Sequence, residues 1–187
     1  MKGLVFVISA PAGTGKTTLV RMLMDEFHHV VESVSLTTRS PRQNEVPGRD
    51  YTFITHEEFE QKIRDNEFIE YAKVFGNYYG TSRSYVQSQR EKGKDVILVI
   101  DTQGALQLQG VLDAIFIFIS PPSIEELRAR LYRRKSETDE AIEHRLSWAE
   151  KEIALAVKYD YHIVNDHLKT AYEVLRSILI AEEHRNR

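Results

Sequence analysis

The sequence predicts a three-layer α/β fold in which helices cover both faces of a parallel central sheet. Strand-like apolar runs alternate with helical patterns along the chain, as expected when each helix connects two parallel strands. Two of these runs, 96–100 and 114–119, are almost wholly apolar, which is typical of strands buried on both faces. A glycine-rich turn after the first run, at 9–18, predicts a ligand site at the carboxyl ends of the strands.

The periodicity of apolar residues predicts the elements in order. The run Leu19–Phe27 is amphipathic, and apolar residues recur at helical spacing from Asp139 to Val157 and from about Lys169 to Glu183. Thr55 and Ser123 each stand three residues before a glutamate, which predicts a capping box at two further helix starts. The predicted strands are Leu4–Ser9, Val30–Leu36, Asp95–Ile100, Ala114–Ser120 and His162–Asn165.

Composition limits the classes of function. A length of 187 residues fits one domain with a substantial core, and a net charge of −3 gives no reason to expect nucleic acid as a partner. The absence of cysteine excludes disulfides, zinc–thiolate sites and thiol nucleophiles. No apolar stretch approaches the ~18 residues of a membrane span, and the first apolar run is too short for a secretory signal. We therefore expect a cytoplasmic protein without membrane contact.

The turn after the first strand has the pattern of a phosphate-binding loop. Gly13 and Gly15 permit a tight turn whose N–H groups point at phosphate oxygens, and the following helix N-terminus adds donors. Lys16 is placed to reach the β- and γ-phosphates of a nucleotide, and the Thr17 hydroxyl to bind Mg²⁺. Ala10 replaces the first glycine of the pattern and adds only a methyl group; a turn without a ligand is the disfavoured alternative. The predicted nucleotide-binding residues here are Ala10, Pro11, Ala12, Gly13, Thr14, Gly15, Lys16, Thr17 and Thr18.

Two arginines in a polar segment suggest a second phosphate site. Arg39 and Arg42 flank a proline and can converge on one phosphate, because each guanidinium offers a planar fork of donors. Tyr51 can add a hydroxyl donor. A solvated basic loop explains this stretch about equally well when it is taken alone. The phosphate-binding loop upstream favours the phosphate site, because a phosphotransferase must also hold its acceptor.

A carboxylate downstream suggests recognition of guanine. A carboxylate facing a purine accepts from N1–H and from the 2-amino group, and guanine alone among the common bases presents both. Glu70 is the candidate, and Thr81 and Ser35 are candidates to donate to O6, which adenine lacks. Such a pocket rejects adenine because its buried polar atoms would then be unsatisfied. The alternative for Glu70 is a solvated carboxylate at a helix end, which is the more common environment of a glutamate.

Asp101 directly follows the apolar run 96–100. An aspartate in this position resembles the second acidic element of phosphate-loop enzymes, which holds Mg²⁺ through water. The alternative is the N-cap of a helix that starts near Gly104, and the two roles are compatible.

Residues 128–145 carry five arginines and one lysine. Phosphoryl transfer needs positive charge over the migrating group, delivered by a segment that closes over the site. Arg134 and Arg145 are the candidates. Most of the other charges in this run are expected to form a solvated helix face.

Together these motifs resemble the guanylate kinase family, whose members phosphorylate GMP. The resemblance implies a P-loop NTPase fold in a single domain over 1–187, with a small mixed GMP-binding insert at about 35–85 and a helical lid at about 124–146. The core would comprise about 1–34, 86–123 and 147–187. The stretches that carry the resemblance are 33–42, 48–51, 68–71, 76–81, 100–104, 134–145 and 161–166.

The resemblance also implies residue roles. ATP with Mg²⁺ would bind Lys16 and Thr17, with Asn165 near the base, and the migrating phosphoryl group would meet Arg134 and Arg145. GMP, with dGMP as a further candidate acceptor, would bind through two sets of side chains. The phosphate would contact Arg39, Arg42, Tyr51 and Tyr79. Guanine would contact Ser35, Glu70, Thr81 and Asp101.

Three positions depart from the family pattern: Ala10, Val99 in place of a second aspartate, and Lys135-Ser136 in place of Gly-Thr in the lid. A binding module of this family that has lost activity is the main alternative. Such a module should have a damaged phosphate loop or lack the arginines assigned to the GMP phosphate. In this sequence the lysine and glycines of the loop are present, and so are Arg39 and Arg42. A further alternative is a phosphate-loop kinase with another acceptor. The presence of Ser35, Glu70 and Thr81, the residues assigned to guanine, distinguishes a GMP kinase from it. The oligomeric state stays open.

Overall fold

The computed structural model describes residues 2–42, 45–133 and 138–186. The strands are β1 (Val5–Ser9), β2 (Val30–Ser33), β3 (Leu36–Thr37), β4 (Thr52–Phe53), β5 (Phe68–Val74), β6 (Asn77–Ser82), β7 (Asp95–Val99), β8 (Ile115–Ser120) and β9 (Tyr161–Val164). The helices are α1 (Lys16–Glu26), α2 (His56–Arg64), α3 (Arg83–Glu91), α4 (Thr102–Leu108), α5 (Ile124–Arg133), α6 (Asp139–Ala154), a 3₁₀ turn (Leu155–Lys158) and α7 (Leu168–Glu183).

A five-stranded sheet in the order β2-β7-β1-β8-β9 forms the centre of the fold. β2 and β7 pair in parallel, as do β8 and β9. Every residue of β1 and β8 is buried, as expected for strands covered on both faces. The predicted α/β class with a parallel central sheet is therefore confirmed.

A second, mixed sheet has the order β4-β3-β6-β5. β3 runs parallel to β4 and antiparallel to β6. The single strand predicted at 30–36 is therefore wrong, because Val30–Ser33 pairs in the central sheet and Leu36–Thr37 in the second sheet. β-type residues indicate an extended backbone but do not specify the strand that pairs with it.

The chain divides into two compact units. The first comprises Met1–Val7 and His29–Ala114, and the second comprises Ile8–His28 and Ile115–Arg187. The predicted division into core, GMP-binding region and lid stays a prediction. Among the described residues, no helix combines the length and the apolar character needed to cross a membrane.

Aromatic stacking fixes the second sheet in the first unit. The ring of Phe59 on α2 stacks on Phe68 of β5 and on Tyr78 of β6, with centroid distances of 4.4 and 5.1 Å. A Cβ at Gly80 would lie 2.8 Å from the Phe68 ring, so a glycine is needed between these rings. The predicted capping box at Thr55 is confirmed and begins α2. This packing positions the side chains that flank Gly80 on β6.

Apolar contacts join α5 to α6 in the second unit, through Leu127, Leu131, Ile142, Leu146 and Ala149. Ser123 Oγ accepts from the backbone N–H of Glu126 at 3.1 Å, which is half of the predicted capping box. The Glu126 carboxylate accepts from Arg130 Nε at 2.9 Å. An arginine one turn along the helix thus competes for the carboxylate that a full capping box would use.

Candidate active site

The phosphate-binding loop lies in the second unit, between the end of β1 and the start of α1. Gly13 has a φ of 92°, and Gly15, the N-cap of α1, has a φ of 97°. Both values lie in the left-handed region that favours glycine. A Cβ at Gly13 would also lie 2.9 Å from Leu131 Cδ2 on α5. Both glycines of the motif are therefore required by the backbone geometry.

The cation and the hydroxyl of the motif lie on the first turn of α1. Lys16 Nζ donates to the carbonyl oxygen of Ala10 at 3.5 Å, so the lysine side chain folds back along the loop. Thr17 is exposed, which leaves its hydroxyl accessible to a ligand. Of the other predicted loop residues, Ala10, Pro11 and Thr14 are buried, whereas Ala12 and Thr18 are exposed.

A cavity of about 470 Å³ opens beside this loop. Residues 13–15 form one wall, and Arg130, Arg133 and Asn165 are among the residues that line the rest. A glycine-rich backbone facing two arginines is suited to a polyanion, because both N–H groups and guanidinium groups are donors to phosphate oxygens.

Asn165, which follows β9, connects the loop to α5. Its side-chain Nδ2 donates to the carbonyl oxygen of Thr14 at 2.7 Å. Its own carbonyl accepts from Arg130 Nη1 at 3.1 Å. Because Arg130 is in turn paired with Glu126, a chain of polar contacts runs from α5 through Asn165 to the phosphate loop.

Arg130 is a site residue that sequence reasoning missed, since it was included among the solvated charges. The available signal was the spacing of four residues from Glu126, which allows an ion pair that holds the arginine in place. Arg128 fits the solvated face, because it is exposed and pairs with Glu143. Arg145 is half-buried on α6. The lid residues Arg134, Lys135 and Ser136 lie outside the described residues.

In the first unit, Arg39 is the centre of the predicted site for the GMP phosphate. Its Nε donates to Tyr79 Oη at 3.2 Å, and its guanidinium carbon lies 5.3 Å from the centre of the Tyr51 ring. Its Nη2 donates to both carboxylate oxygens of Glu45, at 2.7 and 2.9 Å. Three of the four residues assigned to the GMP phosphate therefore lie together.

Glu45 is a second residue that sequence reasoning missed. Its carboxylate also accepts from the backbone N–H of Arg42 at 2.9 Å, while the Arg42 side chain is exposed. Burial raises the pKa of Glu45, but the hydrogen bonds from Arg39 and Arg42 outweigh burial and hold that pKa below its usual value. The spacing of three residues from Arg39 to Arg42 and from Arg42 to Glu45 was the available signal. The ionised Glu45 carboxylate is thus hydrogen-bonded to Arg39 and Arg42, the two arginines assigned to the phosphate of GMP.

Glu70 and Thr81 face each other across the antiparallel pair of β5 and β6. Thr81 Oγ1 donates to Glu70 Oε1 at 2.5 Å, and the two residues are 0% and 5% exposed, respectively. The alternative of a solvated helix-end carboxylate is therefore wrong. The pKa of Glu70 is raised to about 7, mainly by burial; the charge of Asp101 contributes to this rise, and the hydrogen bond from Thr81 opposes it.

Asp101 is the N-cap of α4, and its Oδ1 accepts from the backbone N–H of Gly104 at 2.9 Å. The N-cap interpretation is confirmed. A Cβ at Gly104 would overlap the Glu70 carboxylate, so this glycine lets the two acidic groups approach each other. Ser35 is also buried in this unit, between β2 and β3. The residues assigned to guanine are thus largely shielded from water.

Comparisons with known proteins agree with this geometry. The family model for guanylate kinase matches residues 2–182. A guanylate kinase from Protochlamydia amoebophila is 60% identical over 184 residues, which cover 98% of this chain and 93% of that protein. A guanylate kinase from Clostridium tetani is 51% identical over 98% of this chain and 88% of that protein.

The crystal structure of guanylate kinase from Anaplasma phagocytophilum superposes with a TM-score of 0.82. It has 37% sequence identity to this chain, and the match covers 99% of this chain and 88% of the other. Similarity of this extent, in sequence and in structure, establishes the family. The chain belongs to the guanylate kinase family.

Proposed function

We propose that this chain is a cytoplasmic guanylate kinase that transfers the γ-phosphoryl group of ATP to GMP and releases ADP and GDP, and so recycles GMP in purine nucleotide metabolism. The buried Glu70–Thr81 pair supports this proposal, in a chain whose phosphate loop keeps both Gly13 and Gly15 and the lysine that follows them. Glu70 accepts from N1–H and the 2-amino group of guanine, and Ser35 donates to O6. Thr81 donates to O6 only after its hydroxyl turns away from Glu70, because the hydroxyl has a single proton. Adenine offers neither interaction, so it would leave buried polar groups unpaired.

The acceptor phosphate is held by Arg39, Arg42, Tyr51 and Tyr79. Arg39 already uses three of its nitrogens, on Tyr79, on the Ser40 carbonyl and on Glu45. The phosphate of GMP competes with the Glu45 carboxylate for the same guanidinium. This arrangement holds the arginine in a defined orientation before the substrate arrives, which reduces the cost of ordering it.

The transfer is a direct in-line displacement. An anionic oxygen of the GMP phosphate forms a bond to the γ-phosphorus, the bond from that phosphorus to the β–γ bridging oxygen breaks, and ADP leaves with the electron pair. No general base is needed, because the attacking oxygen is already anionic. Lys16, Arg134 and Arg145 neutralise charge on the migrating group, and the loop backbone positions the donor.

The first turn of α1 suits Mg²⁺. Thr17 is exposed there and offers a hydroxyl oxygen, and Mg²⁺ in nucleotide sites binds to few protein oxygens together with phosphate oxygens and water. When bound, the ion neutralises phosphate charge. The role of this chain is to place the hydroxyl next to Lys16, at the end of the loop.

The experiment follows GDP by anion-exchange chromatography after ATP, Mg²⁺ and GMP are mixed with the protein. Lys16→Ala is expected to reduce GDP formation by about 10²-fold or more, because a group that stabilises transition-state charge is lost. The matched control is Lys169→Ala, which removes an exposed lysine from the first turn of α7 and leaves the rate unchanged. Folded wild-type protein that binds GMP but forms no GDP would instead support the binding-module alternative. Undiminished GDP formation by Lys16→Ala would contradict the role of that lysine.

A further inference from the structure

We infer that Asn165 is a positioning residue for the phosphate loop, in that its side-chain amide fixes the direction of the Gly15 N–H through the carbonyl of Thr14. The inference rests on the proposed ATP site. It assigns to Asn165 an action on the phosphates of the donor, which is distinct from the contact with the base that the family resemblance implies.

The hydrogen bond between Asn165 and Thr14 is short and buried. Asn165 Nδ2 lies 2.7 Å from the Thr14 oxygen, and the two residues are 4% and 1% exposed. In a planar trans peptide the C=O of one residue and the N–H of the next point in opposite directions. Holding the Thr14 carbonyl towards Asn165 therefore turns the Gly15 N–H away from Asn165. An N–H turned in this way is available as a donor to phosphate.

Asn165 is itself held from two further directions. Its backbone N–H donates to the carbonyl of Ser120 at 2.8 Å, at the end of β8. Its backbone carbonyl accepts from Arg130 Nη1 at 3.1 Å, and Glu126 anchors that arginine. The backbone of Asn165 is thus held by β8 and by α5, so its side-chain amide is attached to a fixed point beside the loop.

The loop passes so close to this amide that only glycine fits beside it. A Cβ at Gly15 would lie 2.6 Å from Asn165 Nδ2. The loop backbone and the amide are therefore in direct contact at the peptide whose orientation matters. A residue that touched only the base of ATP would not need this approach.

A ligand without a base separates the two roles. The probe is Mg²⁺–tripolyphosphate, and its dissociation constant and that of Mg²⁺–ATP are measured by calorimetry. Asn165→Ala removes the donor without adding charge, and Asn165→Asp replaces the donor with an acceptor of the same shape. Asn77→Asp is the matched control, since Asn77 Nδ2 also donates to a backbone carbonyl, that of Phe75, at 3.3 Å in a turn of the first unit.

Both Asn165 variants are expected to raise the dissociation constants of tripolyphosphate and of ATP by a similar factor, about tenfold or more. Asn77→Asp is expected to change neither dissociation constant by more than about twofold. GMP binding without donor should be unchanged, which verifies folding. Asn165→Ser is the second variant if Asn165→Ala does not fold. Loss of ATP affinity with unchanged tripolyphosphate affinity would overturn the inference in favour of a contact with the base. A loss confined to Asn165→Asp would overturn it in favour of charge repulsion.

Unchanged affinities in every variant would overturn the inference and leave the proposed function intact. Folded wild-type protein that binds neither ATP nor tripolyphosphate would remove the proposed ATP site and the inference with it. The two failures are therefore distinguishable.

Discussion

At the residue scale, Glu70 combines a buried position with a task that needs charge. Burial raises the pKa of this carboxyl to about 7, the Thr81 hydroxyl opposes the rise, and Asp101 adds to it. A carboxyl group accepts two hydrogen bonds from guanine only when it is ionised. Protonation and GMP binding therefore compete near neutral pH.

We predict that the KM for GMP rises as the pH falls below about 7, approaching about tenfold per pH unit, because the ionised fraction of Glu70, which is the form that binds guanine, falls in that proportion. Initial rates between pH 8.5 and 5.5 measure this dependence. The phosphate of GMP also titrates, near pH 6, so Glu70→Gln is the control that keeps the phosphate titration and lacks the carboxyl. The variant should have a higher KM at pH 8.5 and a flatter profile. Parallel profiles for the two proteins would show that Glu70 does not titrate against guanine.

At the element scale, the passage from β1 into α1 depends on glycine. Gly15 has a positive φ and contacts Asn165, whereas Gly110, after α4, has a φ of 74° with no heavy atom within 4 Å of an added Cβ. The two positions share a positive φ, which would strain an alanine, and differ in the space around an added Cβ. A comparison of alanine substitutions at Gly15 and Gly110 therefore separates the effect of backbone strain from the effect of the contact with Asn165.

We predict that Gly15→Ala raises the KM for ATP by about tenfold or more and destabilises the fold by more than Gly110→Ala, which carries only the left-handed strain of about 1–2 kcal/mol. The reason is that the new methyl group displaces either the loop or the Asn165 amide. Denaturant unfolding and ATP saturation curves measure the two effects. Equal KM values in the two variants would mean that the contact with Asn165 has no effect on the donor site.

The strands β1, β7 and β8 and the long helices were predictable, because their apolar patterns extend over five or more residues. The second sheet was not predictable strand by strand: β3 and β4 have two residues each, which is too short for any period, and the surrounding segments are polar. Its position in the fold depends on Phe59 and Phe68, two rings that pack across separate elements.

At the scale of the whole molecule, the candidate site was predictable where a motif is local and not where a contact joins distant parts of the chain. The loop glycines and Lys16 lie within four residues of one another, and their pattern alone indicated a phosphate site. Asn165 and Thr14 are 151 positions apart, and no local spacing indicates their hydrogen bond. Glu45 was missed although it is near Arg39, because a carboxylate beside two arginines is also common on solvated loops.

Selective phosphorylation of GMP is measured as ADP release from Mg²⁺–ATP, with GMP, dGMP, AMP, CMP and UMP compared as acceptors. We predict a kcat/KM for GMP about 10³-fold or more above that for AMP, because a buried carboxylate that pairs with guanine is left unsatisfied by adenine. If AMP, CMP or UMP had a kcat/KM equal to that of GMP, the protein would still be a kinase, but the guanine pocket built on Glu70 and Thr81 would be contradicted.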